Sequence, residues 1–187
     1  LESFAERKYT ATGVIQWMQN NAWPGLIWHL YDFYLRPGGS YFGAKKAGEP
    51  LHVQYAYDDR SVVVVNGTLQ EHRGLKVRAR VLDLASKELL ARTAPLDVGP
   101  DASAKVFAVP EPPGVTPTYF LALQLDDAAG RTVSRNVYWL STKKDVLAWD
   151  KSEWYVTPLA QHADLTGLQQ LPPAEVKAAA RFASGRA

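Results

Sequence analysis

The sequence predicts a mainly β chain: an immunoglobulin-like antiparallel β-sandwich preceded by a short α/β segment. Three observations carry that prediction. Between Pro50 and residue 142, seven short apolar runs are separated by Gly, Pro, Asp and Asn clusters, with no helical period between them. One run, "LKVRARVLD", alternates strictly, with Leu75, Val77, Ala79 and Val81 on one face and Lys76, Arg78 and Arg80 on the other. Before Pro50 the order is instead helix, strand, loop and helix, the pattern of one strand and its covering helix without the rest of a sheet.

Each element follows in order. Residues 1–8 read as the end of a helix around Phe4, and "TATGVIQW" runs into a short strand with β-branched Val14 and Ile15. "MQNNAW" breaks it. Pro24 suits a first helical turn, and Leu26, Ile27, Leu30, Tyr31 and Tyr34 follow at helical spacing until "RPGGS" stops them. "LHVQYAYDDRSVVVVNGT" reads as strand, turn at Asp58 and Asp59, and strand. "ELLART", "AKVFAV", "YFLALQL" and "RTVSRNVYWL" continue the series. The Cys…Trp…Cys hallmark of antibody domains is absent, so the prediction is of architecture alone. From Lys143 the pattern loosens, and residues 174–183 are helical by propensity, with Pro173 at the start.

Composition bounds the function. An apolar fraction of 47% with 21% charged residues, over 187 residues, describes a globular chain able to bury a sizeable core. A net charge of +2 from scattered bases argues against nucleic acid or an anionic membrane as partner, since both require clustered Lys and Arg. Without cysteine there is neither a disulfide nor a thiolate metal site. The longest apolar runs, such as residues 62–65, fall far short of a membrane span. "LESFAERKY" at the start has neither an initiator Met nor a signal-peptide core, and the expectation is a piece of something longer.

Motifs for nucleotide, serine-nucleophile or zinc-protease chemistry are absent, and no cofactor is expected. His29, His52, His72 and His162 lack ligand spacing and read as isolated surface or core residues. Asp58–Asp59 and Asp126–Asp127 sit between strands, where Asp is ordinary turn chemistry rather than a calcium site. The stretch "TGVIQWMQNNAWPGLIWHLYDFYL" differs from everything else, with Trp17, Trp23 and Trp28 in twelve positions and Asn20 and Asn21 between two of them. Sugar rings have apolar C–H faces that stack on aromatic rings, while their hydroxyls require amide or carboxylate partners. Trp17, Asn20 and Asn21 are therefore candidate substrate-binding residues. The competing reading makes the tryptophans core, since Trp is usually well buried.

The residues "TGVIQWMQNNAWPGLIWHLYDFYLRPGGSYFGAKKAGEPLHVQY" resemble the end of the catalytic barrel in glycoside hydrolase family two, where the last strand carries a W-x-x-N-x-x-W-P pattern. The match through "PGGSYFGAKKAGEPLHVQYAYDDRSVVVVN" is most similar to the exo-β-D-glucosaminidase and β-mannosidase branch, and "YVTPLAQHADLTGLQQLPPAEV" to its connector. The resemblance implies three parts: residues 1–47 as the remnant of a (β/α)8 barrel, residues 50–142 as the sandwich, and residues 143–187 leading toward a further β-sandwich. In that context "AEVKAAARF" would be a strand; without partner strands either outcome is open.

It further implies a retaining enzyme, whose two glutamates stand ~5 Å apart across the sugar. None of the eight glutamates here follows an Asn, as the family's acid does, so no catalytic residue is expected in this chain. Trp17 matches the tryptophan beneath the bound sugar, Asn20 and Asn21 match positions near the pocket mouth, and Trp23 and Trp28 would mainly build the wall. Many relatives have Asp where Asn21 stands. The implied partners are a chitosan- or mannoside-type β-linked oligosaccharide and the rest of the barrel, in a secreted or periplasmic enzyme. A non-catalytic carbohydrate-binding sandwich, using Trp139, Trp149 or Trp154, is the alternative.

Overall fold

The computed structural model describes residues 1–25 and 27–180. Seven strands form two antiparallel sheets. β1 (Leu51–Tyr55), β2 (Ser61–Asn66) and β5 (Ala102–Ala108) pair in the order β1-β2-β5. β3 (His72–Leu82), β4 (Glu88–Val98), β6 (Thr118–Asp126) and β7 (Thr132–Ser141) pair in the order β4-β3-β6-β7. Their inner faces meet in one core of Val53, Val62 and Val64 against Val77, Ala79, Val81, Leu121, Leu123 and Leu125. The alternation read from β3 is reproduced residue by residue: Leu75, Val77, Ala79 and Val81 are buried, and Lys76 and Arg78 are exposed. The expected immunoglobulin-like sandwich is the observed architecture.

The predicted turns form through Asp side chains that bind the backbone two to four residues on. Asp59 Oδ1 accepts the Ser61 amide at 3.0 Å, and Asp127 Oδ1 accepts those of Ala129 and Arg131, each at 2.9 Å. β1 is an edge strand whose outward amides would otherwise be orphaned. β7 side chains supply the acceptors: Ser134 Oγ lies 3.3 Å from Val53 N, and the Tyr138 hydroxyl 3.1 Å from Tyr55 N.

β2 is buried along its whole length. An antiparallel strand with one wet face alternates; a continuous valine run means both faces are covered. The second cover is helix α1 (Glu2–Ala5), whose Ala5 packs on Val63 and Val65. His52 and Gln54 of β1 are buried too.

Residues 12–38 depart from expectation. The strand predicted through "TATGVIQW" has no ladder: residues 12–18 are irregular, because no neighbouring strand among the described residues accepts their backbone hydrogen bonds. The helix expected after Pro24 is also absent from the described residues, Leu26 lying outside them. Its aromatic residues are only middling helix formers, and Gly25 weakens the start. The backbone instead pairs locally, with bridges from Tyr31 to Asn20 and to Pro37. "RPGGS" does not stop a helix but opens one: Gly38 is the extended N-cap of α2 (Gly39–Ala47), which continues through alanines and lysines.

After β7 the chain folds back on the sandwich. Strands β8 (Val146–Leu147) and β9 (Leu159–Gln161) pair, and short 3-10 turns cover Trp149–Lys151 and Thr166–Gln170. Asp164 accepts from Thr118 Oγ1 at 2.8 Å through its carbonyl. Gly167 sits so close to β6 and to the β3–β4 turn that a Cβ there would lie 3.1 Å from Thr118 Oγ1 and 2.6 Å from Leu84 Cδ1. Of the segment expected to be helical, residues 174–180 carry no regular structure and 181–183 lie outside the described residues.

Candidate functional site

Trp17, Asn20 and Asn21 lie on the irregular segment before α2. Trp17 is 65% exposed and Asn20 is exposed, whereas Asn21 is half-buried. The peptide between Trp17 and Met18 is cis. The Asn20 amide donates to the Asn21 carbonyl at 3.3 Å, and the Asn21 amide to the Gly25 carbonyl at 3.1 Å. Gln16 Nε2 ties the segment together by donating to the Trp28 carbonyl at 2.8 Å. Trp23 and Trp28, expected to build an aromatic wall in a whole barrel, are both mostly exposed in this chain.

The structure divides the predicted trio. Asn21 lines a cavity of about 340 Å³ with His29, Tyr31, Asp32 and Ser40, whereas Trp17 and Asn20 lie outside it. His29 is buried there and its Nδ1 has no hydrogen-bond partner among the described residues. Asp32 is the sole carboxylate in residues 12–47, and its Oδ1 accepts the Arg36 amide at 2.8 Å. Retaining hydrolysis requires a facing pair of carboxylates, and residues 12–47 contain only one.

A second cluster, invisible in the sequence motifs, joins α1 to the sandwich. His52, 1% exposed, has its Nε2 2.7 Å from Glu2 Oε1 and its Nδ1 3.1 Å from Glu49 Oε2. Glu2 also accepts from Asn136 Nδ2 at 2.7 Å and from the Tyr138 hydroxyl at 2.8 Å. Gln54 Nε2 donates to the Glu2 carbonyl and to Glu6 Oε2, each at 2.9 Å. Burial pushes the Glu2 carboxyl up, but hydrogen bonds from His52, Tyr138 and Asn136 outweigh it and hold the group below its usual value. Glu49 is lowered in the same way: burial is outweighed by Lys46, Ser134 and His52. Burial pushes the Tyr138 phenol far up, and the Glu2 charge adds to it.

Ser134, His52 and Glu2 have the composition of a nucleophilic triad. Ser134 is buried, however, and its hydroxyl donates to Glu49 at 2.7 Å rather than facing a substrate. The cluster is a polar seal, with each buried charge given partners. The signal that could have exposed it was the valine run. If both faces of β2 are covered, His52 and Gln54 on neighbouring β1 must be buried, and polar partners must come from elsewhere; Gln54 finds them for Nε2 but not for Oε1 among the described residues. Among the described residues no group of three or more His, Asp or Glu is placed to hold a metal ion.

With this geometry in hand, the comparisons with known proteins are specific. Residues 58–145 match the profile of the Mannosidase Ig/CBM-like domain, which spans β2 to β7. The sandwich is similar to that domain. The chain carrying it is homologous to a segment of the exo-β-D-glucosaminidases of glycoside hydrolase family two. It is 45% identical over 186 residues to the enzyme of Amycolatopsis orientalis, covering 96% of this chain and 18% of the relative. Against the Streptomyces avermitilis enzyme it is 47% identical over 178 residues, covering 94% of this chain and 20% of the relative. The chain thus spans about one fifth of the length of these relatives.

The crystal structure of the Amycolatopsis orientalis exo-chitosanase superposes with a TM-score of 0.86 at 45% identity, over 91% of this chain and 21% of that one. A β-D-mannosidase from Dictyoglomus thermophilum shares the fold at a TM-score of 0.62 and 20% identity, over 78% of this chain and 19% of that one.

Proposed function

We propose that this chain is the carboxyl-terminal part of a retaining exo-β-glycosidase that releases terminal β-glucosaminide residues, and that it completes and braces the barrel without catalysing alone. In this reading residues 1–47 end a (β/α)8 barrel, residues 50–142 are the bracing sandwich, and residues 143–187 lead to a further β-sandwich. The observation that carries it is a contrast within residues 1–47. Their first helix is clamped to the sandwich by buried polar bonds, while Trp17, Trp23 and Trp28 stand exposed beyond it. An apolar aromatic surface of this kind marks a binding or packing face.

In a barrel, this segment would lie at the carboxyl ends of the strands, where substrate binds. Trp17 would stack beneath the sugar at the cleaved bond, and Asn20 and Asn21 would take its hydroxyls. The acid and the nucleophile would come from earlier strands. The relatives at 45% and 47% identity are exo-β-D-glucosaminidases, while an endo-β-mannosidase stands at 31%; this favours the glucosaminide over the mannoside. We place the whole enzyme outside the cytoplasm, with its polysaccharide.

An antibody raised against this chain, applied to fractions of the source cells and medium, tests the reading. The expected result is a band several times heavier than 20.7 kDa in the exported fraction. Its immunoprecipitate should hydrolyse p-nitrophenyl β-D-glucosaminide, about tenfold or more slowly with Trp17→Ala. A single band near 20.7 kDa, or turnover by the purified chain itself, would overturn it.

A further inference from the structure

At the end of the sandwich where the β1–β2 turn meets the start of β6 and the end of β7, a cleft of about 420 Å³ opens beneath the segment that follows β7. Tyr55 and Tyr119 line it. They are only 6% and 7% exposed, yet neither hydroxyl has a hydrogen-bond partner among the described residues. A tyrosine this deeply buried ordinarily pairs its O–H with protein. Neighbouring Tyr138 does so, through Glu2, Asn136 and the Tyr55 amide. The two phenols line the cleft without a protein partner, so each can donate to an oxygen that enters it.

The groups around them define which acceptor. Arg60 lies near both: burial pushes the phenols up, Tyr55 to about 12, and the Arg60 charge acts in the opposite sense on each. Lys143 and Lys144 also line the cleft and form no ion pair with a described residue. The carboxylate of Asp145 is already engaged by the Ala163 amide at 2.7 Å. The mouth carries two aromatic faces, largely exposed Tyr57 and Trp139, the latter 58% exposed. Tyr57 is braced edge-on against Tyr55 with ring centroids 5.2 Å apart.

Aromatic faces at the rim, with hydroxyl and cationic donors behind them, suit a ring that has apolar C–H faces and equatorial oxygens. Arg60 is paired with Glu111 Oε2 at 3.3 Å, so the cations left to disfavour a protonated amino sugar are Lys143 and Lys144. We propose that this cleft binds the terminal pyranose of a neutral oligosaccharide, with Trp139 and Tyr57 stacking on the ring and the Tyr55 and Tyr119 hydroxyls donating to its oxygens. The site belongs to the sandwich and stands whether or not residues 1–47 serve a barrel.

The test is titration of the 187-residue chain with mannotetraose, N-acetylglucosamine tetramer and glucosamine tetramer, following the tryptophan indole N–H resonances by NMR. Saturable binding of either neutral tetramer is expected, shifting the Trp139 resonance, with the glucosamine tetramer at least tenfold weaker at neutral pH. Tyr55→Phe and Tyr119→Phe keep the rings and the core, and each should weaken binding about threefold to tenfold, the loss of one hydrogen bond. Trp139→Ala should abolish saturation, while Trp154→Ala, on the exposed hairpin after β8, should leave it unchanged. The proposal falls if neither neutral tetramer binds at millimolar concentration. It also falls if the glucosamine tetramer binds as well, or if both Phe variants bind as tightly as the native chain.

Discussion

The sandwich and the segment before it are both rich in large apolar residues, and they dispose of them in opposite ways. In the sandwich, strands whose apolar residues alternate find partners within a few turns of chain, and the valines and leucines of both sheets close on one another. In residues 12–38, apolar residues partly keep a helical spacing but find no neighbouring element among the described residues to cover them. Ile15, Trp17, Trp23 and Trp28 all end in solvent. Hydrophobicity alone therefore does not fold a segment. A periodic pattern decides which face is buried, and a neighbour must exist to bury it.

The contrast should show most strongly in truncation of side chains. Leu121, fully buried between the sheets, should cost about 2–5 kcal/mol as Leu121→Ala, through lost transfer energy and a residual cavity. Ile15→Ala, at a similarly apolar position, should change stability by less than about 0.5 kcal/mol in this chain. Urea unfolding followed by far-UV circular dichroism measures both. A loss at Ile15 comparable with that at Leu121 would mean that the exposed segment is packed in solution and would erase the distinction.

The boundary between the two regions is the next place to press. Tyr138→Phe removes one hydroxyl that donates to Glu2 and accepts from Asn136 and the Tyr55 amide. The expected cost is about 1.5–3 kcal/mol, the range for hydrogen bonds to charged groups. It should fall locally. Amides of α1 would exchange faster with deuterium while those of β3 and β6 keep their protection. Equal loss of protection everywhere would show that the seal and the sandwich unfold as one unit.

Why the sandwich could be read from the sequence and the site could not follows from the same physics. In β3, Leu75 to Val81 announce strand, register and buried face at once, because period two is a local property of the chain. The helix expected at Leu26 to Tyr34 and the strand expected through Ile15 rested on apolar spacing in a segment without neighbours, where spacing has nothing to act on. α2 was misread because Pro37, Gly38 and Gly39 resemble a terminator, whereas an extended glycine can equally serve as an N-cap. The seal at His52 was hidden because its members come from positions 2, 49, 52, 134, 136 and 138. Such distant groups meet only once both sheets and α1 are placed. Trp17, Asn20 and Asn21 were legible as residue types, but the packing that would gather them about a sugar is not in this segment alone.

Acid offers a milder way to part the two regions. Glu2 and Glu49 have carboxyls held below the usual value of 4.5, so each contributes stability that is present above that pH and lost as pH falls below it. Glu6 is raised by burial and works in the opposite sense, its contribution growing on acidification and offsetting part of the loss. The net expectation is that α1 loosens below pH 4.5 before the sandwich melts, seen as proteolytic cleavage within residues 1–11 ahead of any change in circular dichroism. Cleavage that instead declined with acid would make Glu6 the dominant group and reverse the assignment.

The smallest effect tests whether surface charge contributes to the clamp at all. Arg7 Nη2 reaches Asp58 Oδ2 at 2.8 Å, but both side chains are about half exposed. An exposed pair gains little Coulomb energy in water and loses side-chain freedom when it forms, so Arg7→Ala should shift stability by no more than about 0.5 kcal/mol. Even that should vanish in 1 M salt, where the screening length is about 3 Å. The Tyr138→Phe cost should survive the same salt, because its hydrogen bonds lie out of reach of counterions. If Arg7→Ala instead released α1 as fully as Tyr138→Phe, the clamp would be electrostatic. The contrast between a buried seal and an exposed segment would then have to be redrawn as one between two kinds of surface.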